Sequence, residues 1–294
     1  MVKSTLQQYH ARMQRVLDYI DQHLEDNLEL ETLSSVAAFS KHHFHRQFTA
    51  IFGISVHGYV QLNRMKRASY RLAFRANHTI TDIAMDAGYE APEAFARAFK
   101  QRFGRSPTAF RKIPDWESWF AAFTPLTGAR RICMHNTTFT ADQVKLIETA
   151  PVAVALMEHR GHPHRLGGTI QRFIAWRKAA GLTPKTSATY TIFHDPEPAN
   201  ADDFHIDLCA ATDRKIAADD EQVKRSLIPG GRCAMLRVIG SSEDLGSAAS
   251  YLYRDWLPKS GEETRDFPLY CQRVTFFTDV PENETVTDLF LPLK

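Results

Sequence analysis

The sequence lacks a cysteine pair. Its four cysteines, Cys133, Cys209, Cys233 and Cys271, lie far apart with no CxxC spacing. That excludes the usual zinc-finger pattern and gives no disulfide framework. No apolar run approaches the roughly 18 residues a membrane span needs. The opening MVKSTLQQYHARMQ has no apolar core of a secretory signal. A soluble cytoplasmic protein with no membrane partner is expected. Enzyme fingerprints are missing too: there is no GxSxG, HExxH, P-loop or dinucleotide-binding glycine motif. No catalytic residue, cofactor or metal is therefore assigned. Net charge is also scarce, because 36 Lys and Arg against 34 Asp and Glu leave only +2. Taken alone, that figure speaks against nucleic acid, whose partners carry basic surfaces.

What is present is ordinary for a globular chain: 294 residues, 44% hydrophobic, 24% charged and 11% aromatic. Length and composition together predict two domains, each with its own core. The charge is unevenly spread. Residues 1–113 hold 16 basic and 10 acidic residues, a net of +6, whereas 114–294 hold 20 and 24, a net of −4. Texture changes at the same place. Before it the only prolines are Pro92 and Pro107, and apolar residues recur at helical spacing. The segment 113–142 has no clear period and reads as a linker between domains 1–112 and 143–294.

The first part repeats itself. At an offset of 50, Leu30, Leu33, Ala37 and Phe39 match Ile80, Ile83, Ala87 and Tyr89. At an offset of 51, Phe44, Arg46, Phe48, Gly53, Ser55 and Tyr59 match Phe95, Arg97, Phe99, Gly104, Ser106 and Phe110. Each copy reads as a short helix, a tight turn and a second helix, the form of a helix-turn-helix. A longer helix over 56–76, with Arg64, Lys66, Arg67, Arg71 and Arg75 expected on its surface, connects them. An all-α bundle without a DNA role is the alternative. Two matched copies and the +6 charge favour an all-α double helix-turn-helix domain that binds double-stranded DNA.

These residues also carry a family resemblance. Gly88-Tyr89, Phe95, Arg97, Phe99-Lys100, Phe103-Gly104, Ser106-Pro107 and Phe110-Arg111 resemble the signature of AraC/XylS-type transcription regulators. Phe39-Ser40-Lys41, Phe44, Arg46 and Phe48 resemble their first helix-turn-helix. The resemblance implies two recognition helices in adjacent major-groove segments, about 34 Å apart. It places His42, His45 and Arg46 at base-contacting positions, with His43 beside them. Arginine can fork to guanine, so Arg46 is the best-founded reader. A metal held by His42, His43 and His45 is the competing idea. On the second helix the candidates are Pro92, Glu93, Arg97 and Lys100. Small and apolar neighbours there predict shape and backbone contacts more than base reading, so the first helix is expected to dominate.

The second part reads as α+β and duplicated, in two strand-helix-strand-strand units. Strands are expected at 144–147, 152–157, 188–194, 204–211, 233–239, 270–278 and 286–293, and helices at 168–180 and 245–257, with Ser241 capping the latter. A loop around Asp219, Asp220 and Glu221 separates the rounds. At an offset of 80, Trp176 meets Trp256 and Tyr190 meets Tyr270. The seam between such halves is a natural cleft. Glu158-His159-Arg160-Gly161, the helix ending at Trp176 and the closing Asp288 to Leu293 resemble the GyrI-like (Rob-type) effector-binding domain. That resemblance implies a small-molecule effector in an aromatic groove. Trp176, Tyr190, Asp207, Trp256, Tyr270 and Gln272 are the candidate lining. Gln272 stands where such domains often hold a glutamate for a cation, which weakens the case for a cationic ligand. RNA polymerase is a further candidate partner. Two other roles stay open for this half: a protein-interaction module, or a weak hydrolase of small electrophiles. The histidine-rich stretch from His159 to His164 is expected to be a surface loop.

Overall fold

A computed structural model describes residues 5–134, 139–194, 198, 200–214, 216, 222–241 and 244–294. Asp219, Asp220 and Glu221 lie outside the described residues. The chain divides into two compact units, Met1–Thr138 and Phe139–Lys294. No described helix is long and apolar enough to cross a membrane.

The first unit is helical. Its elements are α1 (Thr5–Gln22), α2 (Leu30–Val36), α3 (Lys41–Phe52), α4 (Val56–Phe74), α5 (Ile80–Asp86), α6 (Pro92–Phe103), α7 (Pro107–Lys112) and α8 (Trp116–Met134). The sequence repeat is reproduced down to single hydrogen bonds. The amides of Phe39 and Tyr89 reach back to the Ser34 and Ala84 carbonyls at 3.0 and 3.1 Å. Gly53 and Gly104 end α3 and α6 in left-handed conformation. Ser55 and Ser106 then cap α4 and α7 through their side chains.

Two expectations are corrected here. The segment 113–142 is not merely a linker, because α8 occupies most of it. Trp119, Phe123, Leu126 and Ala129 of α8 are buried in the helical core. The helix was masked by Pro125 inside it and by apolar residues, Phe120 and Ile132, on its exposed side. Arg130 pairs with Asp21 of α1 at 2.6 Å, both side chains fully buried. The second correction concerns α4, whose basic residues are not a free surface. Lys66 and Arg71 are buried. Arg64 donates to the Leu24 and Asp26 carbonyls at 2.8 and 2.6 Å. Arg67 pairs with Glu25, and Arg71 with Asp86 and Glu25. The cause is position: α4 runs through the middle of the unit, so its long side chains lie between neighbouring helices and direct their charges to them.

The second unit is one sheet of eight antiparallel strands. They are β1 (Val144–Thr149), β2 (Val152–Arg160), β3 (Thr189–Phe193), β4 (His205–Ala211), β5 (Lys224–Ile228), β6 (Gly231–Ile239), β7 (Leu269–Arg273) and β8 (Val286–Pro292). Helix α9 (Leu166–Ala179) follows β2. Helix α10 (Leu245–Tyr251) follows β6 and continues through a wide π turn at Leu252–Trp256 into α11 (Leu257–Ser260). The strand order is β1-β6-β8-β7-β3-β4-β2-β5. Exchanging the halves, β1 for β5 through β4 for β8, turns that order into its own reverse. Each half is thus strand-strand-helix-strand-strand, one strand more than the sequence reading in the second round, where β5 is unforeseen. The first strand of each half pairs with the other half, β1 with β6 and β5 with β2. The centre falls where Thr191 faces Cys271. Ser241 does not cap α10; its hydroxyl donates to Glu282 at 2.8 Å, and Asp244 holds the N-cap position.

Candidate nucleic-acid interface and ligand face

In the first unit the recognition helices are held by their buried phenylalanines. Phe44, Phe48 and Phe52 of α3 face the core, as do Phe95, Phe99 and Phe103 of α6. The 3.6-residue period then turns the residues between them outward. His42, His43, His45 and Arg46 are exposed on α3, and Glu93, Arg97 and Lys100 on α6; Pro92 is half-buried at the first turn. His43 lies edge-on to Phe39, 4.9 Å between centroids. Arg46 and Arg97 occupy equivalent positions on the two helices. Among the described residues neither is held by an acidic side chain, unlike Arg67 and Arg71 of α4. Pro92 starts α6 where its missing N–H costs nothing, and Glu93 lies in the first turn, where a negative charge suits the helix dipole.

In the second unit the alternation of β-strands sorts the side chains onto two faces. The helices cover one of them. Trp176 packs beside Phe173 and the cluster of Ala155, Met157 and Ile206. Trp256 joins Leu236, Leu252 and Leu289. The other face carries no helix of this unit among the described residues. Its apolar cluster draws a residue from every strand and is otherwise completed only by Phe267. Tyr190, Asp207, Tyr270 and Gln272 all lie there. Tyr190 is directly opposite Gln272, and Tyr270 opposite Ile192. Tyr270 stacks on Phe290 at 4.9 Å and lies 6.4 Å from Tyr190. The six candidates therefore split: four share the helix-free face, and Trp176 and Trp256 are behind the sheet. Sequence spacing matched the tryptophans to each other but carried no sign of which face they join.

The chemistry of this face is set by burial and pairing. Desolvation raises the pKa of both tyrosines, so each is a neutral hydroxyl at physiological pH. Cys209 is pushed up for the same reason and is an inert thiol. Asp288, opposite Gln272, takes a forked pair of bonds from Arg237 at 2.7 and 2.8 Å. Glu158 is held below the usual carboxylate range, chiefly by its hydrogen bond from Arg160. Two histidines that the sequence reading did not single out, His194 and His205, stand beside Asp207. Of the stretch from His159 to His164, His159 is buried on the helix side, bonded to Thr169 at 2.9 Å, while His162 and His164 are half-buried. It is less of a surface loop than expected.

Comparison with known proteins gives two family matches. One, described as a GyrI-like small molecule binding domain, covers residues 142–294; the other, described as a helix-turn-helix domain, covers 33–113. The chain is 31% identical over 159 residues to the probable transcriptional regulator YgiV of Escherichia coli (strain K12), spanning 53% of this chain and 99% of that protein. It is 37% identical over 103 residues to the uncharacterized HTH-type transcriptional regulator YbfP of Bacillus subtilis (strain 168), 35% of each chain. It is 29% identical over 104 residues to the Right origin-binding protein of Escherichia coli (strain K12), 35% of this chain and 36% of that one.

Proposed function

The chain belongs to the GyrI-like small molecule binding family and joins that domain to an AraC-type helix-turn-helix domain, and from this we propose that it is a DNA-binding transcription regulator controlled by a small ligand. The observation that carries the DNA half is the matched pair of exposed arginines, Arg46 and Arg97, on two helices built alike. Arg46 reads bases from the first helix, supported by His42 and His45. Arg97 and Lys100 add mainly backbone contacts from the second, where Glu93 is the other outward residue. Selection of bound sites from random duplexes tests this. The expected result is a bipartite site with stronger base preference under α3, and a loss of roughly 1–3 kcal/mol of specific binding in Arg46→Ala. A stronger preference under α6, or retained specific affinity in Arg46→Ala at fixed salt, overturns it.

For the second unit, the helix-free face supports binding of a small hydrophobic or aromatic molecule. Tyr190 and Tyr270 would supply the stacking surface, with Asp207 and Gln272 as polar anchors. A thermal-shift screen with neutral and cationic aromatics checks this. Stabilisation by a compound, lost in Tyr190→Ala and kept in Trp176→Phe, is expected. Turnover of the compound would make the unit an enzyme, and the absence of any stabilising compound would favour an interaction module.

A further inference from the structure

One end of the helix-free face differs chemically from its counterpart in the other half. His194 follows β3 directly and lies opposite His205, the first residue of β4; the His194 amide donates to the His205 carbonyl at 3.2 Å. Asp207 is two residues along β4 and so shares a face with His205. Glu158 of β2 is the direct cross-strand partner of Asp207. Three adjacent strands thus bring two imidazoles and two carboxylates to one patch. His194 Nε2 lies 2.8 Å from Asp207 Oδ2. His205 Nε2 lies 2.9 Å from Glu158 Oε1 and 3.6 Å from Asp207 Oδ1. The two rings stack at 3.8 Å, 5° from parallel. One donor atom from each of His194, His205 and Asp207 falls within 4.8 Å of the other two.

The counterpart in the second half is built from other residues. There the Val274 amide donates to the Val286 carbonyl at 2.9 Å, the same bond without histidines. Asp288 corresponds to Asp207, and Arg237 corresponds to Glu158. Arg237 satisfies Asp288 completely enough to explain that aspartate as structure. In the first half the arginine is replaced by a second carboxylate. The cations nearby, Arg160 at 2.6 Å and Lys224 at 3.6 Å, pair with Glu158, and both are about two-thirds exposed.

We propose that His194, His205 and Asp207 bind one divalent transition-metal ion, with Glu158 as a fourth oxygen donor. Two imidazole nitrogens with carboxylate oxygens suit zinc, cobalt or nickel, whereas calcium and magnesium favour all-oxygen shells. The donor contacts of 2.8 to 3.6 Å match the edges of a shell built on bonds of about 2.0–2.2 Å, and one imidazole turns out of the 3.8 Å stack for both in-plane lone pairs to meet the ion. His194 and Glu158 are 34% and 30% exposed, so an ion can enter from solvent. The competing arrangement is a plain hydrogen bond between His194 and Asp207, with His205 Nε2 buried beside Glu158 without a hydrogen-bond partner among the described residues, and it binds no metal.

The test is calorimetric titration of the full-length chain with Zn²⁺, paired with the visible absorption of added Co²⁺. One stoichiometric site with the absorption of cobalt in a nitrogen and oxygen shell is expected. His194→Gln and Asp207→Asn should each weaken binding at least tenfold. Variants of the other histidine groups, His42→Gln with His45→Gln, and His162→Gln, should leave it unchanged. Because His194 ends its strand and is partly exposed, His194→Gln is expected to keep the fold, which circular dichroism checks. Absence of a stoichiometric site overturns the proposal. So does binding that survives His194→Gln, or binding that is lost in the His42 and His45 variant instead. DNA binding does not enter the measurement, so neither result bears on the regulator reading.

Discussion

Ala38 and Gly88 hold the same turn position in the two helix-turn-helix copies, and both are left-handed, with φ of 55° and 81°. Glycine suits Gly88 doubly, since a Cβ there would also come within 2.7 Å of the Arg64 guanidinium. Ala38 bears the steric cost of that conformation, about 1–2 kcal/mol for a residue with a Cβ. Glycine's greater freedom in the unfolded chain offsets part of it. Ala38→Gly should therefore raise stability by roughly 0.5–1 kcal/mol, read from the denaturant midpoint. His159 gives a pH prediction. It is buried, and desolvation lowers its pKa from 6.5. The unfolded chain then takes the proton first. Its contribution to stability is complete above pH 6.5 and is lost as pH falls from there toward the folded value. Thermal melts of the second unit between pH 7.5 and 5.5 should show a drop that His159→Gln reduces. An unchanged drop in the variant would exclude His159 as its source.

At the scale of elements, α8 shows how a helix can matter without advertising itself. Its indole at Trp119 donates to the Ser69 hydroxyl of α4 at 2.6 Å, and its ring contacts Tyr70, Phe120 and Phe123. Trp119→Ala should cost about 3–5 kcal/mol, measured by chemical denaturation, whereas Trp119→Phe should retain most of the packing and lose mainly the hydrogen bond. A much smaller loss in Trp119→Ala would mean that α8 is dispensable to the first unit. The edge strands make the opposite point. β5 is short, carries Lys224 and Arg225, and lacks clean alternation. Charged, short edges protect a sheet from pairing with other chains, and the same features hide such a strand from pattern reading.

At the scale of the molecule, the two units have separate apolar clusters, one confined to the helices and three to the sheet domain. Calorimetry of the full chain should resolve two unfolding transitions. Operator DNA should raise the one belonging to the helical unit, and a bound small molecule the other, because a ligand stabilises only the unit that must unfold to release it. A single transition moved equally by either ligand would contradict this. The division of charge has the same logic. The basic excess lies in the half that approaches phosphates, although several of its arginines are spent inside α4, where they tie that helix to the turn after α1 and to α5.

The sequence alone determined the two-part organisation, the doubled helix-turn-helix and the outward placement of Arg46 and Arg97. These follow from periodicity: a buried phenylalanine every fourth residue dictates which neighbours point out, and the copy 51 residues on repeats the rule. Only the tertiary structure decided what depends on pairing between distant segments. Alternation told that Asp207 and Cys209 share a face, but not that Trp176 and Trp256 lie on the other side of the sheet from Tyr190 and Tyr270. Nor did any local pattern join His194 and His205 to Asp207, or His205 to Glu158. Strand register did that, and register is a property of which strands meet, which a linear sequence does not state.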